Sequence, residues 1–480
     1  MSTAVTIRTS ASDTLLVPFY SDTVAAAVQA DLDAGANPLA TASSLTYFFA
    51  PDARFPATVP TVSGAAGFLD TIPGAQDTGY LNSAFSTVVN AGAGMLTAIP
   101  LGNATLIGGQ DASTLFLNAS SAGKAYLAGG HSVIRNSNSA SRIDVLMDGA
   151  PDSFATTSLI LDNTAGGTID VAANDGALVV AQGGGAQSVV ANHGTVVVLD
   201  GGVSLGVVTV AASAGATAWV GVGGSGGFIV NQGAGDAFVF PVGTGHAAAT
   251  LFGGTRDFGG GPSTAPAATG HTTVLGMDGW LESGSAGGSI MQSGTGYGAA
   301  TLVAGGSGDV LLLRSAADVA FTGDGAGVFV DASNGVTVNG GVTFHLGAGS
   351  GTVLGASIGH NHFLIEGAGN YTVAGFHDIT GVVRDGWILR GSLYDLMPGS
   401  AGAHITILDF LPQNHADGAI IPYFDGFGFG VGAGLPTVTS LTNTPLGGGY
   451  YDNALVLSDG TTVSFPHTLG AVYDLGGMII

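Results

Sequence analysis

The sequence predicts an all-β fold, an elongated parallel β-solenoid of the β-helix or β-roll kind, and three observations carry that prediction. One phrase recurs on a fixed ruler: Ala249-Thr250-Leu251-Phe252-Gly253-Gly254 returns as Ala300-Thr301-Leu302-Val303-Ala304-Gly305-Gly306 and as Gly351-Thr352-Val353-Leu354-Gly355, so that Thr250, Thr301 and Thr352 are each 51 residues apart. Self-similarity at a fixed period marks a repeat architecture, in which each unit buries its apolar face against the next. Between the repeats run short β-branched stretches such as Ala177-Leu178-Val179-Val180 and Thr195-Val196-Val197-Val198-Leu199, cut by Gly, Asn, Asp and Ser. Runs of this length bounded by turn formers are strands. The acids point the same way. All but Glu282 and Glu366 are Asp, a turn residue whose short carboxylate bonds nearby backbone N–H groups.

The chain divides by texture into three regions. Residues 1–100 read as a small α+β head: Ser21-Asp22 caps a helix through Asp33, Val24, Val28 and Leu32 share one face, and Gly35 closes it. Prolines at 38, 51, 56, 60 and 73 then leave only short elements around Tyr47-Phe48-Phe49 and Phe85 to Val89. This head either caps the open end of the solenoid or docks onto another subunit. Residues 101–376 are the glycine-rich solenoid. If the 51-residue period holds three coils, each has 17 residues, and the three threonines stack in one line. Residues 377–480 form a β-rich C-terminal domain, in which Asn453 to Phe465 is a hairpin with Asp459-Gly460 at its turn.

Composition narrows the function classes. With 33 acidic against 9 basic residues the net charge is −24, which repels phosphate backbones and anionic lipid, so nucleic acid is not an expected partner. Hydrophobic residues make up 46% of the chain, too many for disorder, and the absence of cysteine removes disulfides and thiolate metal sites. The uncharged stretch Val203 to Gln232 is broken by Gly every few positions and lacks a basic flank, so it reads as buried strands and no membrane span is expected.

The glycine phrases resemble the calcium-binding nonapeptides of RTX proteins, whose pattern G-G-x-G-N-D-T-L-x-G-G is echoed from Ala300 to Leu311 and from Gly367 to Gly375. Ile405 to Phe410 with Asp417, the Asp459-Gly460 hairpin and the ending Tyr473 to Ile480 are similar to the tail that follows such repeats. The resemblance implies type I secretion without a cleaved N-terminal signal, an extracellular or cell-surface location and calcium as a ligand. In one respect the chain departs from that family. Where the family motif places its calcium-ligating Asp, this sequence has Ala104, Ala249, Ala300, Gly351 or Tyr371, none of which supplies the carboxylate calcium needs. The residual acids Asp309, Asp324 and Asp331 are the remaining calcium candidates, with solvated turn residues as the other reading.

Few residues offer other chemistry. His360-Asn361-His362 with Glu366 reads as a metal site or as polar residues beside a strand, and Trp219, Trp280 and Trp387 read as sugar-stacking platforms or as packing. For a polysaccharide enzyme on a β-helix, Arg256 with Asp257 and the triplet Asp309, Arg314 and Asp318 are the best acid–base sets. Gly223 to Gly227 fits G-x-S-x-G and Gly221 to Gly226 fits G-x-G-x-x-G, but neither sits on the strand-turn-helix those motifs require. Asn103, Asn118 and Asn370 begin glycosylation-type triplets. With charge so sparse, the sequence favours a structural protein that self-associates into fibres or a coat or forms an adhesin stalk on a biofilm matrix, with surface polysaccharide as a partner; the alternative is a β-helix carbohydrate-active enzyme, a lyase or hydrolase. Deleting the chain from Asn453 onward is expected to abolish secretion in an export assay, and normal export of the truncated chain refutes the type I route.

Overall fold

A computed structural model describes residues 3–8, 14–34, 45–48, 67–70, 78–83, 87–90, 95–100, 104–108, 114–119, 123–136, 142–150, 157–163, 167–201, 207–223, 228–231, 233–243, 247–253, 268–295, 299–315, 317–332, 342–355, 361–374, 393–397, 399–410, 426–429, 436–474 and 478–479. The fold is all-β, a parallel β-solenoid with a β-rich C-terminal region. It forms two compact units, Met1–Phe238 with Val242–Gly245 and Val239–Pro241 with His246–Ile480.

In the first unit successive strands alternate between two parallel sheets. One sheet runs through Ala104–Gly108, Gly123–Leu127, Arg142–Met147, Thr168–Ala173, Ala186–Ala191 and Val208–Ala212. The other runs through Thr114–Ala119, Gly130–Asn136, Thr157–Asp162, Ala177–Gln182, Gly194–Asp200 and Ala216–Val222. Because side chains alternate faces along a strand, every second residue points inward, and identical positions in neighbouring coils stack. Leu106, Ala125, Val145, Val171, Val189, Val210 and Val230 form one such column, each the backbone neighbour of the next and each buried.

The head contributes an antiparallel hairpin, Thr3–Arg8 with Thr14–Phe19, and a helix, Asp22–Asp33. The helix is the one the sequence predicts: Ser21 Oγ accepts the Val24 N–H at 3.3 Å, and Val24, Val28 and Leu32 are buried. The hairpin was not legible, since Pro18 breaks its second apolar run. Gly35 lies outside the described residues. The described head packs along the outer side of the first sheet, with Val5, Ile7, Val17, Phe19 and the helix face against Val89, Ile107, Tyr126 and Leu146. Asp148 Oδ2 accepts the Ser21 N–H at 2.7 Å, and Lys124, the single lysine, pairs with Asp31. Burial and the nearby Asp31 carboxylate push the Tyr126 hydroxyl up to about 12.

The second unit keeps the two ladders but fills them with larger side chains. Its inner column passes through Leu251, Leu281, Leu302, Ala320, Phe344, Phe363 and Tyr394. Phe344 and Phe363 stack with centroids 5.3 Å apart and planes 6° from parallel; Phe363 and Tyr394 follow at 4.7 Å and 10°. The facing column is Val274, Met291, Leu311, Phe329, Val353, Val373 and Ile407. Neither ladder is interrupted at the texture boundaries near residues 101 and 376: parallel pairing reaches back to Leu45–Phe48 and forward to His404–Ile407 against Thr462–Leu469. The Asp459-Gly460 hairpin is present, joining Tyr450–Leu457 to Thr462–Leu469 with Gly460 at φ 87°.

The predicted 17-residue coil is wrong. Thr250 lies beside Trp280 and Trp280 beside Thr301, so two coils separate the first two threonines. Thr352 is in the other sheet, between Val328 and Thr372. Register is set by strand alternation, and the turns between strands differ in length, so a constant spacing in sequence does not return to a constant place on the coil. Those turns need glycine where coils touch. A Cβ on Gly287, at φ 75°, would sit 2.0 Å from the Ser307 carbonyl oxygen of the next coil.

Phe363 is fully buried between two stacked rings. Phe363→Ala is expected to lower stability by about 3–5 kcal/mol, read from guanidinium unfolding.

Candidate functional site

Two of the acids proposed for calcium or catalysis, Asp309 and Asp318, are acceptors for neighbouring backbone and serine donors. Asp309 is buried: its Oδ2 accepts the Ser283 hydroxyl at 2.7 Å and the Gly306 N–H at 3.0 Å, and its Oδ1 accepts the Ser289 N–H at 2.9 Å. Asp318 accepts the Ser293 hydroxyl at 2.6 Å and the N–H groups of Ala300, Arg314 and Ser315 at 2.8, 3.0 and 2.9 Å. The two carboxylates thus serve separate sets of donors. Arg314 enters the second set through its backbone. Asp331 is buried at the end of its strand opposite the Asp309 end of the paired strand, and Asp324 is exposed in a turn. Among the described residues no group of three or more His, Asp or Glu side chains forms a metal site, so Asp309, Asp324 and Asp331 do not converge on one ion. Arg256, Asp257, His360, Trp387 and Asn103 lie outside the described residues.

His362 and Glu366, paired in the sequence reading, have different partners. His362 Nε2 is 2.8 Å from Asp395 Oδ2, and His345 Nδ1 is 2.7 Å from Glu366 Oε1. All four side chains are partly exposed, and all rise from consecutive strands of one sheet, Thr343–Leu346, His362–Ile365 and Leu393–Leu396, or from the turn after the second. The outward positions of the preceding strands extend this surface. Phe321 neighbours His345 in the ladder, and the rings stack at 4.2 Å and 21°. Trp280 lies 6.3 Å from Phe321 with planes tilted by 38°. A strip therefore climbs the outer face, from indole to phenyl to imidazole, ending on two imidazole–carboxylate pairs.

Along the strip, apolar ring faces give way to hydrogen-bonding groups. Its ring faces can take apolar surface, while its carboxylate oxygens and imidazole nitrogens can bond hydroxyl groups. Trp219 supplies a second, smaller aromatic surface in the first unit, 38% exposed and stacked on Phe238 at 5.1 Å. Sequence reading found Trp280, His362 and Glu366 but missed Phe321, His345 and Asp395; the signal available was their outward alternation with buried Ala320, Phe344 and Tyr394. Of the glycine motifs, Gly221 lies within the strand Ala216–Val222 and Gly223 follows it, residues 224–227 being outside the described set. Asn118 lies within a strand, and Asn370 opens one, exposed.

Burial is the dominant influence on the Asp318 carboxyl and raises it above its ordinary value, against the pull of its four donors. A raised folded pKa means that the folded state holds the proton more tightly than the unfolded chain. This group's contribution is therefore largest below the unfolded value of about 3.9 and declines as pH climbs through the folded value. The stability difference between wild type and Asp318→Asn is expected to shift against wild type from pH 3.5 to pH 7 in denaturant titrations. A shift in favour of wild type overturns the assignment.

Comparison with protein-family models, curated proteins and solved structures finds no match, so the functional reading rests on the chain's own geometry.

Proposed function

We propose that this chain is an extracellular or cell-surface structural protein, a solenoid scaffold that self-associates into fibres or a coat or stands as an adhesin stalk, and that its outer aromatic strip meets matrix polysaccharide. The observation that carries the reading is the use of the acids. Asp309 and Asp318, two of the three acids the sequence offers for acid–base chemistry, are buried and bonded by backbone and serine donors, an arrangement suited to holding coils together. The strip Trp280, Phe321 and His345 offers instead a shallow face on one sheet, suited to an extended polymer. High negative charge favours a soluble subunit before export, and calcium outside the cell screens that charge and permits assembly.

The test joins two readouts. Electron microscopy of the full chain is expected to show ordered fibres or sheets on adding calcium. Trp280→Ala with His345→Ala is expected to weaken binding to a neutral exopolysaccharide by roughly tenfold or more while the chain remains folded by circular dichroism. Unchanged binding removes the strip from the proposal, and release of oligosaccharides from the polymer replaces the structural reading by the enzymatic one.

A further inference from the structure

At the C-terminal end of the second unit the parallel ladder turns into an antiparallel meander. His404–Ile407 pairs with Thr462–Leu469, which pairs with Tyr450–Leu457, which pairs with Val438–Gly447. The companion sheet ends differently, on the two-residue strand Met478–Ile479, too short to template another chain. Val438–Gly447 is ten residues long, mostly exposed, and among the described residues pairs on one side only.

Natural edge strands are commonly blunted by charge, proline or a bulge. Here register shifts fall between Val438 and Ser440 and between Pro445 and Gly447, and Pro445 blunts the end of the regular stretch, leaving Ser440 to Thr444 as the edge able to pair. That stretch carries no charge, and neither does any residue from 436 to 451. In a chain of net charge −24 this is a place where two copies approach without facing like charges. Exposed apolar side chains gather at the same place: Leu446, Tyr450 and Leu469 are 48, 40 and 51% exposed, with Leu469 directly across from Tyr450.

We propose that the edge Ser440–Thr444 is a self-association contact, in which a second copy of this chain adds its own edge strand antiparallel about a two-fold axis near Thr442. The regular register runs from Ser440 to Pro445, but Pro445 has no N–H to give, so the residues able to donate and accept on the free edge are Ser440 to Thr444, centred on Thr442; Ser440 then pairs with Thr444 across the axis and each Leu446 turns toward the Val438 end of the other strand. A two-fold contact of one patch with itself is closed and gives a dimer. The inference rests on the reading of the chain as self-associating and names the contact through which that begins.

Light scattering coupled to size-exclusion chromatography of the full chain, at about 100 μM and without calcium, is expected to give the mass of a dimer. Ser440→Glu with Thr442→Glu, whose cross-strand partners within the sheet are the uncharged Val456 and Ala454, sets acid opposite acid across the axis at Thr442 and is expected to give a monomer with an unchanged melting temperature. Ala186→Glu with Ala214→Glu, at exposed positions of the first unit, adds the same charge and is expected to leave the dimer intact. A wild-type monomer overturns the contact, as does a dimer that survives the edge variant. Dissociation by the control pair also overturns it, since bulk charge then explains the loss. Should the edge variant lower the melting temperature, Thr442→Glu alone is read by the same criterion. Dimers without calcium-induced fibres retain this contact and refute the fibre reading; fibres with a wild-type monomer do the reverse.

Discussion

Every coil of this protein depends on in-register parallel pairing, which forces residues at the same position of successive strands to stack upon one another. An interior column is thus a sequence of contacts between like-placed side chains about one strand spacing apart, and its members must agree in size with both neighbours. The valine and alanine columns of the first unit meet that demand with small, stiff side chains suited to strands. The second unit meets it with rings laid face upon face, Phe344 on Phe363 on Tyr394. Because each coil touches only the next, an error in one position is felt locally, and the stability of the whole approximates a sum of coil-to-coil terms.

The same constraint explains the chemistry of the turns. Where the chain leaves one sheet for the other, backbone N–H groups lose their ladder partners and need acceptors. Asp309, at the start of its strand, and Asp318, just before the next, supply them, aided by the Ser283 and Ser293 hydroxyls one coil earlier, which accept the Gly305 and Arg314 N–H groups. Asp175 and Asp200 do the same in the first unit, accepting the N–H groups of Thr195 and Gly223 at 3.0 Å. An orphaned buried donor costs on the order of 1–3 kcal/mol, so these side chains are as much a part of the solenoid as its valines. This accounts for an acidic composition drawn almost wholly from aspartate.

The fold class was legible because strand alternation and glycine-bounded runs are local signals, present within any ten residues of the repeats. The helix Asp22–Asp33 was legible for the same reason, its cap and its four-residue spacing being contained in the segment. Coil register was not, because turn length varies and the phrase that looked periodic begins strands in both sheets. The outer strip was half legible. Trp280, His362 and Glu366 are conspicuous by type, but His345 and Glu366 are 21 residues apart and His362 and Asp395 are 33 apart, distances that only the coil geometry joins. Asp309 and Asp318 show the opposite failure: residue type suggested chemistry, and burial assigned them to structure.

The docking of the head on the first sheet sets an order of events during synthesis. The hairpin and helix of residues 3–33 leave the ribosome before Val89, Ile107, Tyr126 and Leu146, the side chains that cover their apolar face, and before Asp148, which accepts the Ser21 N–H. Val24, Val28 and Leu32 can meet Val5, Ile7, Val17 and Phe19 of the hairpin at once, but the head's native cover is complete only with Leu146, more than a hundred residues after Asp33. At about 5–20 residues per second that interval is on the order of several to twenty seconds, long compared with helix formation. The nascent head thus waits with part of its apolar face uncovered, and its docking reports that the first coils have been laid down.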